Sequence, residues 1–406
     1  MKIRSITFFT ELRWPLDSAV FKRAEKFITE ARPAFEAAGY EVQTARLATT
    51  PFALLPGDQI QTDGVRLAQE LEGSAKEHGY DYVSIGPALP DRLDSYTVIP
   101  RILEATQSLF AAGVIASKNE GISLPAVRAC ADIIQNCAGT SPDGFTNLRF
   151  AALANVPPGS PFFPAGYHLG KMPSFALATE SADLAVKSLN KASSLAEAKE
   201  RLVDAIETNA ARISSLAEPL ALENDLAFGG IDFSLAPFPS VDVSIGGAME
   251  KLGVSKVGLH GSLAAAAFLT DALETARFKR AGFCGLLLPP LEDAILAQRV
   301  AEGVLGTTEL LLYSAVCGTG LDTLPLPGDI STGQLAAILL DVAALALRLD
   351  KPLTARLMPV PGKKSGDSTE FDFAYFANSR VMPVKAEPLV GLLTGDEYVQ
   401  LGRRKY

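Results

Sequence analysis

The stretch Phe228–Pro239, FGGIDFSLAPFP, shows the pattern that decides the fold: an apolar run followed by a short loop rich in Pro and Ser. Similar apolar runs recur downstream, and several lack alternation between apolar and polar residues, as strands buried on both faces do. The predicted strands are Ile231–Leu235, Lys256–His260, Gly282–Leu288, Glu309–Val316 and Leu353–Met358. The region 228–385 is therefore predicted to be a regular βα array.

Amphipathic stretches between these runs carry apolar residues at three- and four-residue spacing, which is typical of helices. They are Val241–Leu252, Ser262–Arg277, Leu291–Val304 and Thr332–Leu349. The first four strand starts lie 25, 26 and 27 residues apart, the length of a compact strand–helix unit, so a parallel sheet is expected. A longer interval before residue 353 contains Cys317–Ser331, which is rich in Gly and Pro and is predicted to be a functional loop.

The first half, residues 1–227, is less regular but alternates strands and helices as well. Its predicted strands are Lys2–Phe9, Tyr82–Ile85, Leu148–Ala154 and Ser174–Ala178, and Asp17–Ala38 is a predicted helix. Ser194 and Glu197 form a capping box that opens another helix. Because no break in composition separates the halves, residues 1–406 are predicted to form one large α/β barrel or doubly wound unit, with two domains as the alternative.

Composition excludes several classes of protein. The formal charge is −9 and no basic run occurs, so nucleic acid is not an expected partner. The apolar segments Leu335–Leu349 and Leu263–Leu269 are shorter than the ~20 residues of a membrane span. Glu11 and Arg13 interrupt the first apolar run, so no signal peptide is expected. Four cysteines without a C-x-x-C pair favour a reducing, cytoplasmic location.

Polar residues follow the predicted strands, and in parallel α/β folds active sites form at strand carboxyl ends. Cys317 precedes Gly318-Thr319-Gly320, where backbone amides could lower the pKa of its thiol or bind an anion. Its alternative role is core packing, which is common for cysteine. His260 ends a predicted strand and is a candidate base, a metal ligand or a residue that fixes the next helix.

Substrate-binding candidates come from other strand ends and loops. Arg356 and Arg380 lie in apolar or aromatic strand-like segments, where a guanidinium needs an internal carboxylate or a bound anion. His168 follows an aromatic, Pro-rich loop that looks exposed and is either a substrate lid or a packing loop. Ser234 and Asn378 are further polar candidates.

A divalent metal is a further possibility, since carboxylates and one imidazole follow neighbouring predicted strands. The main candidates are Asp232, His260 and Glu292, with Asp293, Asp322 and Asp372 as additional oxygen donors. No H-E-x-x-H or other metal-binding spacing occurs, so neither the metal nor another cofactor is specified.

Four short stretches make the sequence recognisable. They are Asp232–Pro237, Gly258–Gly261, Cys317–Asp322 and Phe371–Val381. In their order and spacing the chain resembles the DUF711 family, also called UPF0210, of uncharacterised bacterial and archaeal proteins. That family looks like a relative of pyruvate formate-lyase and anaerobic ribonucleotide reductase, so the resemblance implies an α/β barrel of about ten strands.

The radical chemistry of those enzymes is not expected here. They carry the radical on a glycine in an Arg-Val-x-Gly setting, whereas Arg380-Val381-Met382 is followed by Pro383. No second cysteine adjoins Cys317. The resemblance therefore predicts a barrel without a glycyl radical.

The first functional hypothesis is an enzyme acting on a small anionic metabolite in the barrel mouth. Cys317 would be its nucleophile or acid, and His260 its base. Asp232 and Asp322 would orient the reacting groups or bind a metal ion. Arg380 would hold a carboxylate or phosphate of the substrate. The alternatives are a non-catalytic sensor or scaffold and a metal-dependent hydrolase or lyase using Asp232, His260 and Glu292. Ala-rich helices such as Ser262–Arg277 favour a homo-oligomer.

Overall fold

A computed structural model describes residues 1–56 and 58–403, and in this part of the chain eleven strands belong to one sheet. The strands are β1 (Lys2–Thr10), β2 (Val42–Thr49), β3 (Tyr82–Ala88), β4 (Leu109–Ser117), β5 (Gly121–Ser123), β6 (Phe150–Ala154), β7 (Ser174–Glu180), β8 (Ala227–Asp232), β9 (Gly320–Pro327), β10 (Leu353–Val360) and β11 (Tyr398–Val399). Nine of them are hydrogen bonded in the order β8-β7-β1-β2-β3-β4-β6-β10-β9, and β5 and β11 extend from β4.

Helices connect most of these strands and pack on the sheet. They are α1 (Ser18–Ala37), α2 (Gln59–Glu77), α3 (Asp94–Glu104), α4 (Leu124–Ala138), α5 (Ala182–Asn190), α6 (Leu195–Glu223), α7 (Ile245–Lys251), α8 (Ser262–Thr275), α9 (Ala294–Ala301), α10 (Thr307–Tyr313) and α11 (Thr332–Leu349). The main core lies between these helices and the sheet, where residues such as Phe8 and Phe27 are fully buried. The fold is thus mixed α/β, as predicted.

The sheet is mixed in direction, contrary to the parallel sheet expected from the sequence. Strands β1, β2, β3, β4 and β6 are parallel to one another. Strands β7 and β8 form a second parallel pair and β9 and β10 a third, and both pairs run antiparallel to the first group. The amino ends of one group therefore share an edge of the sheet with the carboxyl ends of the other.

The region 228–385 is less regular than predicted, and the first half is the more regular one. Glu309–Val316 is not a strand, since α10 occupies most of it, with Glu309 accepting a bond from the Gly306 N–H (3.0 Å). Lys256–His260 forms turns, and Gly282–Leu288 makes only an isolated bridge. The predicted loop Cys317–Ser331 contains β9, at one end of the hydrogen-bonded order, where its prolines are tolerated.

Other predictions are confirmed. The predicted helix Thr332–Leu349 has the same bounds as α11. Helix α6 begins after Ser194, whose Oγ accepts a bond from the Glu197 N–H (3.2 Å). Helix α11 alone, within the described residues, is long and apolar enough to cross a membrane, but it packs on α4, β6 and β10 with 44% of its length buried.

Residues 279–288, here called the edge segment, run beside β8. Parallel bridges join Ile231 to Arg280 and Leu235 to Leu286. The segment also approaches the residues just before β9, because a Cβ atom on Gly318 would lie 2.6 Å from the Gly285 Cα. Only glycine allows this contact between the two backbones.

The connection between β6 and β7 is buried rather than exposed. Every residue from Ser160 to His168, here called the interior loop, is buried. Ser84 Oγ donates to the Gly166 carbonyl (2.7 Å), and the His168 N–H donates to the Thr49 carbonyl (2.9 Å). Phe163 packs against Phe9 and other apolar side chains of the strands. The interior loop thus fills the side of the sheet opposite the main core, which fits the packing loop of the two alternatives and not an exposed lid.

Candidate functional site

A cavity of about 80 Å³ lies where the amino ends of β1–β4 meet the carboxyl ends of β7 and β8. Its charged lining residues are Arg4, Arg46, Asp232, Glu292 and Arg356. Its aromatic lining residues are Tyr82, Phe110, Phe162, Phe163, Phe373 and Tyr375. The cavity therefore combines several charges with a large aromatic surface.

Glu292 lies between two of the arginines. Its Oε2 accepts a bond from Arg4 Nη2 (2.5 Å), and its Oε1 accepts one from Arg356 Nη2 (2.9 Å). Arg356 Nε also donates to Asp322 Oδ1 (2.6 Å). Arg356 therefore meets internal carboxylates, the first of the two outcomes expected for it. Two arginines and two carboxylates form a charge-matched network, in which Arg4, Glu292 and Arg356 line the cavity and Asp322 does not.

Burial affects the two carboxyl groups of this network differently. Burial opposes ionisation of Glu292, but Arg4 and Arg356 outweigh it and hold its pKa below the ordinary value. Burial raises the pKa of Asp322, and the nearby Glu292 charge adds to this effect against the attraction of Arg356. Asp322 Oδ2 is buried without a hydrogen-bond partner in the described structure. The stronger negative charge in the network is thus on Glu292.

Arg46 is the third cavity arginine, and it has a different environment. It extends from β2, its Nε donates to Thr44 Oγ1 (2.9 Å), and no carboxylate pairs with it in the part of the chain described. Its guanidinium lies 5.3 Å from the centre of the Phe163 ring and 5.8 Å from that of Tyr82. Burial lowers the Arg46 pKa to about 9, with Arg4 contributing, so the group remains charged at neutral pH. A buried cation so placed favours an anionic ligand.

Asp232 lies at the end of β8, on another wall of the cavity. Its Oδ1 accepts bonds from Ser234 Oγ (2.5 Å) and the Cys284 N–H (3.0 Å), and its Oδ2 accepts one from the Phe283 N–H (3.0 Å). Gly282 has φ of 65°, and a Cβ there would lie 2.2 Å from Asp232 Oδ2. Burial raises the Asp232 pKa, although these hydrogen bonds act against it. Asp232 both lines the cavity and holds the edge segment.

Cys317, the first candidate nucleophile, does not line this cavity. It is buried after α10, and its carbonyl accepts a bond from Lys351 Nζ. Burial raises its pKa, with Lys351 opposing the shift. Gly318 and Gly320 allow close backbone approach, since a Cβ on Gly320 would lie 2.3 Å from the Thr354 carbonyl oxygen. The anion cradle predicted at these glycines is not part of the cavity.

The remaining candidates also lie outside the cavity lining. His260 is exposed in the turn before α8. Arg380 is exposed, and its Nη1 donates to the Gly366 carbonyl (2.7 Å). His168 is buried at the end of the interior loop, and burial lowers its pKa. Asn378 bonds the backbone of Phe371 through Oδ1 (2.8 Å), which shapes the segment that carries Phe373 and Tyr375.

The proposed metal ligands do not form a metal centre. Within residues 1–56 and 58–403, no three His, Cys, Asp or Glu side chains are close enough together to hold one ion. Glu292 pairs with arginines, and Asp293 caps α9 by accepting bonds from the Ile295 and Leu296 N–H groups (2.9 and 3.0 Å). Asp372 is exposed. Asp232, His260 and Glu292 are thus not a ligand set here.

Arg4 and Arg46 were missed by the sequence predictions. Both come from strands of the first half, and the signal was weak, since Arg46 lies in Val42–Thr49, VQTARLAT, in which four of the eight residues are polar. Tyr82 and Phe163, the rings beside Arg46, follow only from the tertiary structure.

Fold and site together define an α/β protein with a mixed sheet and an interior cavity, in which one guanidinium has no carboxylate partner among the described residues. The family model described as "Uncharacterised ACR (DUF711)" matches residues 1–378. The chain therefore belongs to the DUF711, or UPF0210, family, as its sequence motifs indicated.

Its relatives include archaeal and bacterial proteins. A UPF0210 protein of Pyrobaculum aerophilum is 36% identical over 374 residues, covering 86% of this chain and 81% of the relative. One from Acetivibrio thermocellus is 30% identical over 352 residues, covering 82% and 77%. One from Listeria monocytogenes is 29% identical over 424 residues, covering 97% and 93%. Similarity thus extends over nearly the whole chain.

Proposed function

We propose that this protein is an enzyme that binds a small anionic metabolite in the cavity, with Arg46 as the anion-binding residue. The observation that carries the proposal is the position of Arg46: it is buried, it lines the cavity, and it pairs with no carboxylate in the described chain. An uncompensated charge in such a site is unfavourable by several kcal/mol. A negatively charged ligand would supply the missing partner.

Asp232 supports catalysis in addition to binding. Its carboxyl group lines the same cavity, and burial raises its pKa above the ordinary value, which is the direction that suits a proton-transferring group. Ser234 holds it in place through a 2.5 Å hydrogen bond. We therefore assign proton transfer to Asp232 rather than to Cys317 and His260, which do not line the cavity.

A non-catalytic sensor is the second candidate, and one observation favours it. The same Asp232 carboxylate accepts the N–H groups of Phe283 and Cys284, so its position also has a structural explanation. A protein of this kind would bind the anion and release it unchanged. The two candidates share the anion site and differ only in turnover.

A second part of the proposal concerns the fold, namely whether the two edges of the sheet meet to form a closed barrel. The edge segment bridges to β8, and Thr319 Oγ1, next to β9, donates to the Leu286 carbonyl of that segment (3.4 Å). These contacts support a closed cylinder in which the edge segment takes the tenth position, and one continuous sheet supports a single domain. Such a cylinder would resemble the pyruvate formate-lyase barrel.

The binding step is tested by thermal unfolding in sodium acetate or sodium phosphate, against sodium chloride of equal ionic strength. At least one of the two anions is expected to raise the Tm of the wild-type protein, because it binds only the folded state. Arg46→Met should remove the shift. Arg380→Met is the matched control, since Arg380 is exposed and outside the cavity lining. An equal shift in Arg46→Met and wild type would contradict the assignment.

The catalytic step is tested by incubating the wild-type protein and Asp232→Asn with a cell metabolite extract and comparing the extracts by mass spectrometry. An enzyme depletes a metabolite that the variant leaves unchanged. Anion binding measured on Asp232→Asn shows whether its cavity is intact. If the wild-type protein binds a metabolite from the extract and depletes none, the sensor is the correct alternative.

A further inference from the structure

We propose that the ligand is a small monocarboxylate with an apolar body, rather than a phosphate or a dicarboxylate. This inference rests on the proposed anion site, and it adds the charge and the shape of the molecule bound there. Two features of the cavity carry it. They are the single guanidinium without an ion-pair partner and the aromatic surface beside that guanidinium.

The charges of the cavity wall leave room for one negative group. Arg4 and Arg356 share Glu292, and Arg356 also pairs with Asp322, so two cations meet two carboxylates. Arg46 alone has no ion pair among the described residues, and it presents a planar guanidinium that matches a carboxylate. One carboxylate on Arg46 would give each of the three arginines an ion-pair partner.

A second negative group on the ligand would meet no unpaired cation among the described lining residues, because Arg4 and Arg356 already have ion pairs. The opposite part of the lining contains Asp232, and in sheet order β8-β7-β1-β2 it lies three strands from Arg46. Its oxygens are already occupied by a hydroxyl group and two backbone N–H groups. A dicarboxylate or a phosphate dianion would add repulsion there or leave one charge unpaired. The charge pattern therefore favours a monoanion.

The surface beside Arg46 is aromatic. The Phe110 ring centre lies 5.3 Å from that of Tyr82 and 5.5 Å from that of Phe163, the two rings against the Arg46 guanidinium. Leu148 and Leu287 add aliphatic lining. A ligand whose carboxylate binds Arg46 would bury its remaining atoms against these side chains. Burial of apolar surface then contributes to affinity in proportion to the size of the body.

The first experiment is isothermal titration calorimetry of the wild-type protein with acetate, isovalerate, phenylacetate, succinate and inorganic phosphate at constant ionic strength. A buried methylene is worth ~0.8 kcal/mol, or about a fourfold change in Kd, so isovalerate should bind at least about tenfold more tightly than acetate. Succinate and phosphate should bind more weakly than isovalerate. Tighter binding of succinate or phosphate would overturn the monocarboxylate inference and leave the anion site intact. Absence of binding by all five would instead refute the anion site.

A second experiment separates the apolar contact from the charge contact. Phe110→Leu removes a ring that lines the cavity without contacting the Arg46 guanidinium directly. It should weaken phenylacetate binding at least about fivefold and leave acetate binding within about twofold. Phe21→Leu is the matched control, because the Phe21 ring on α1 packs against His78 and neither residue lines the cavity. An equal loss of affinity for acetate and phenylacetate in Phe110→Leu would contradict the proposed position of the apolar body.

Discussion

Arg356 and Glu292 form an ion pair in the wall of the cavity, with 2.9 Å between Nη2 and Oε1 and side chains that are 5% and 6% exposed. Glu292 also binds Arg4, so one carboxylate links residues from β1 and β10. These strands lie far apart in sheet order, and the pairing fixes the distance between them on the cavity side. The network is therefore structural as well as electrostatic.

Glu292→Gln should lower the free energy of unfolding by about 3–5 kcal/mol, because it leaves two buried guanidiniums with less compensation. Urea denaturation followed by circular dichroism measures the change. Glu41→Gln is the control, since Glu41 pairs with Lys2 but its side chain is 61% exposed. The control should change stability by at most about 1 kcal/mol. Equal effects of the two substitutions would contradict a special role for Glu292.

The contribution of Glu292 should depend on pH. The pKa of Glu292 is lower in the folded protein than its ordinary value of 4.5, because the attraction of two arginines exceeds the effect of burial. The stabilisation is therefore complete above about pH 4.5 and is lost as the pH falls through the folded pKa. The stability difference between wild type and Glu292→Gln should be constant from pH 6 to 7 and shrink in acid. A difference that grows in acid would contradict this direction.

Gly282→Ala should destabilise the protein and disturb Asp232. The residue has φ of 65°, and a Cβ would lie 2.2 Å from the Asp232 carboxylate. Gly303→Ala is a matched control, with φ of 72° and no atom within 4 Å of a Cβ. The control should cost about 1–2 kcal/mol from backbone strain alone. Urea denaturation should show a clearly larger loss for Gly282→Ala, and similar losses would mean that the close contact with Asp232 is unimportant.

All four thiols should react slowly with a thiol reagent in the native protein. Burial raises the pKa of every cysteine, to about 12 for Cys137 and Cys284. Thiolates are the reactive species, so reaction at pH 7.5 should require unfolding. Labelling followed by mass spectrometry checks this, with the urea-unfolded protein as the positive control. Rapid native labelling of Cys317 would restore the hypothesis that it is a nucleophile.

The sequence predicted secondary structure correctly where apolar residues recur at a regular helical spacing. It failed where the same short apolar run is compatible with a helix and with a strand. Helix α11 was predicted with its observed bounds because its apolar spacing is regular over 18 residues. The run Leu310–Leu312 suggested a strand but belongs to a short helix, since a brief apolar run does not distinguish the two. Strand β9 was predicted to be a loop because its sequence contains two prolines. Contacts with distant segments decide such cases.

The site was predictable in part for a similar reason. Asp232, Ser234 and Arg356 lie in or follow strands of the second half, Glu292 follows the edge segment, and all four line the cavity. Arg46 was missed because no strand was predicted at Val42–Thr49, and because a purely parallel sheet would put the amino end of β2 away from these residues. Two antiparallel junctions, β7 with β1 and β6 with β10, place it beside them instead. Strand direction, which the sequence did not reveal, therefore determines the composition of the site.

The interior loop has a consequence for protein engineering. Most loops tolerate insertions because their atoms face water, but Ser160–His168 occupies space inside the molecule. Replacing its phenylalanines by smaller residues would enlarge the cavity. Inserting residues into the loop would fill the cavity and prevent a ligand from binding there. Redesign of the cavity for larger ligands should therefore begin at the interior loop and leave the outer helices unchanged.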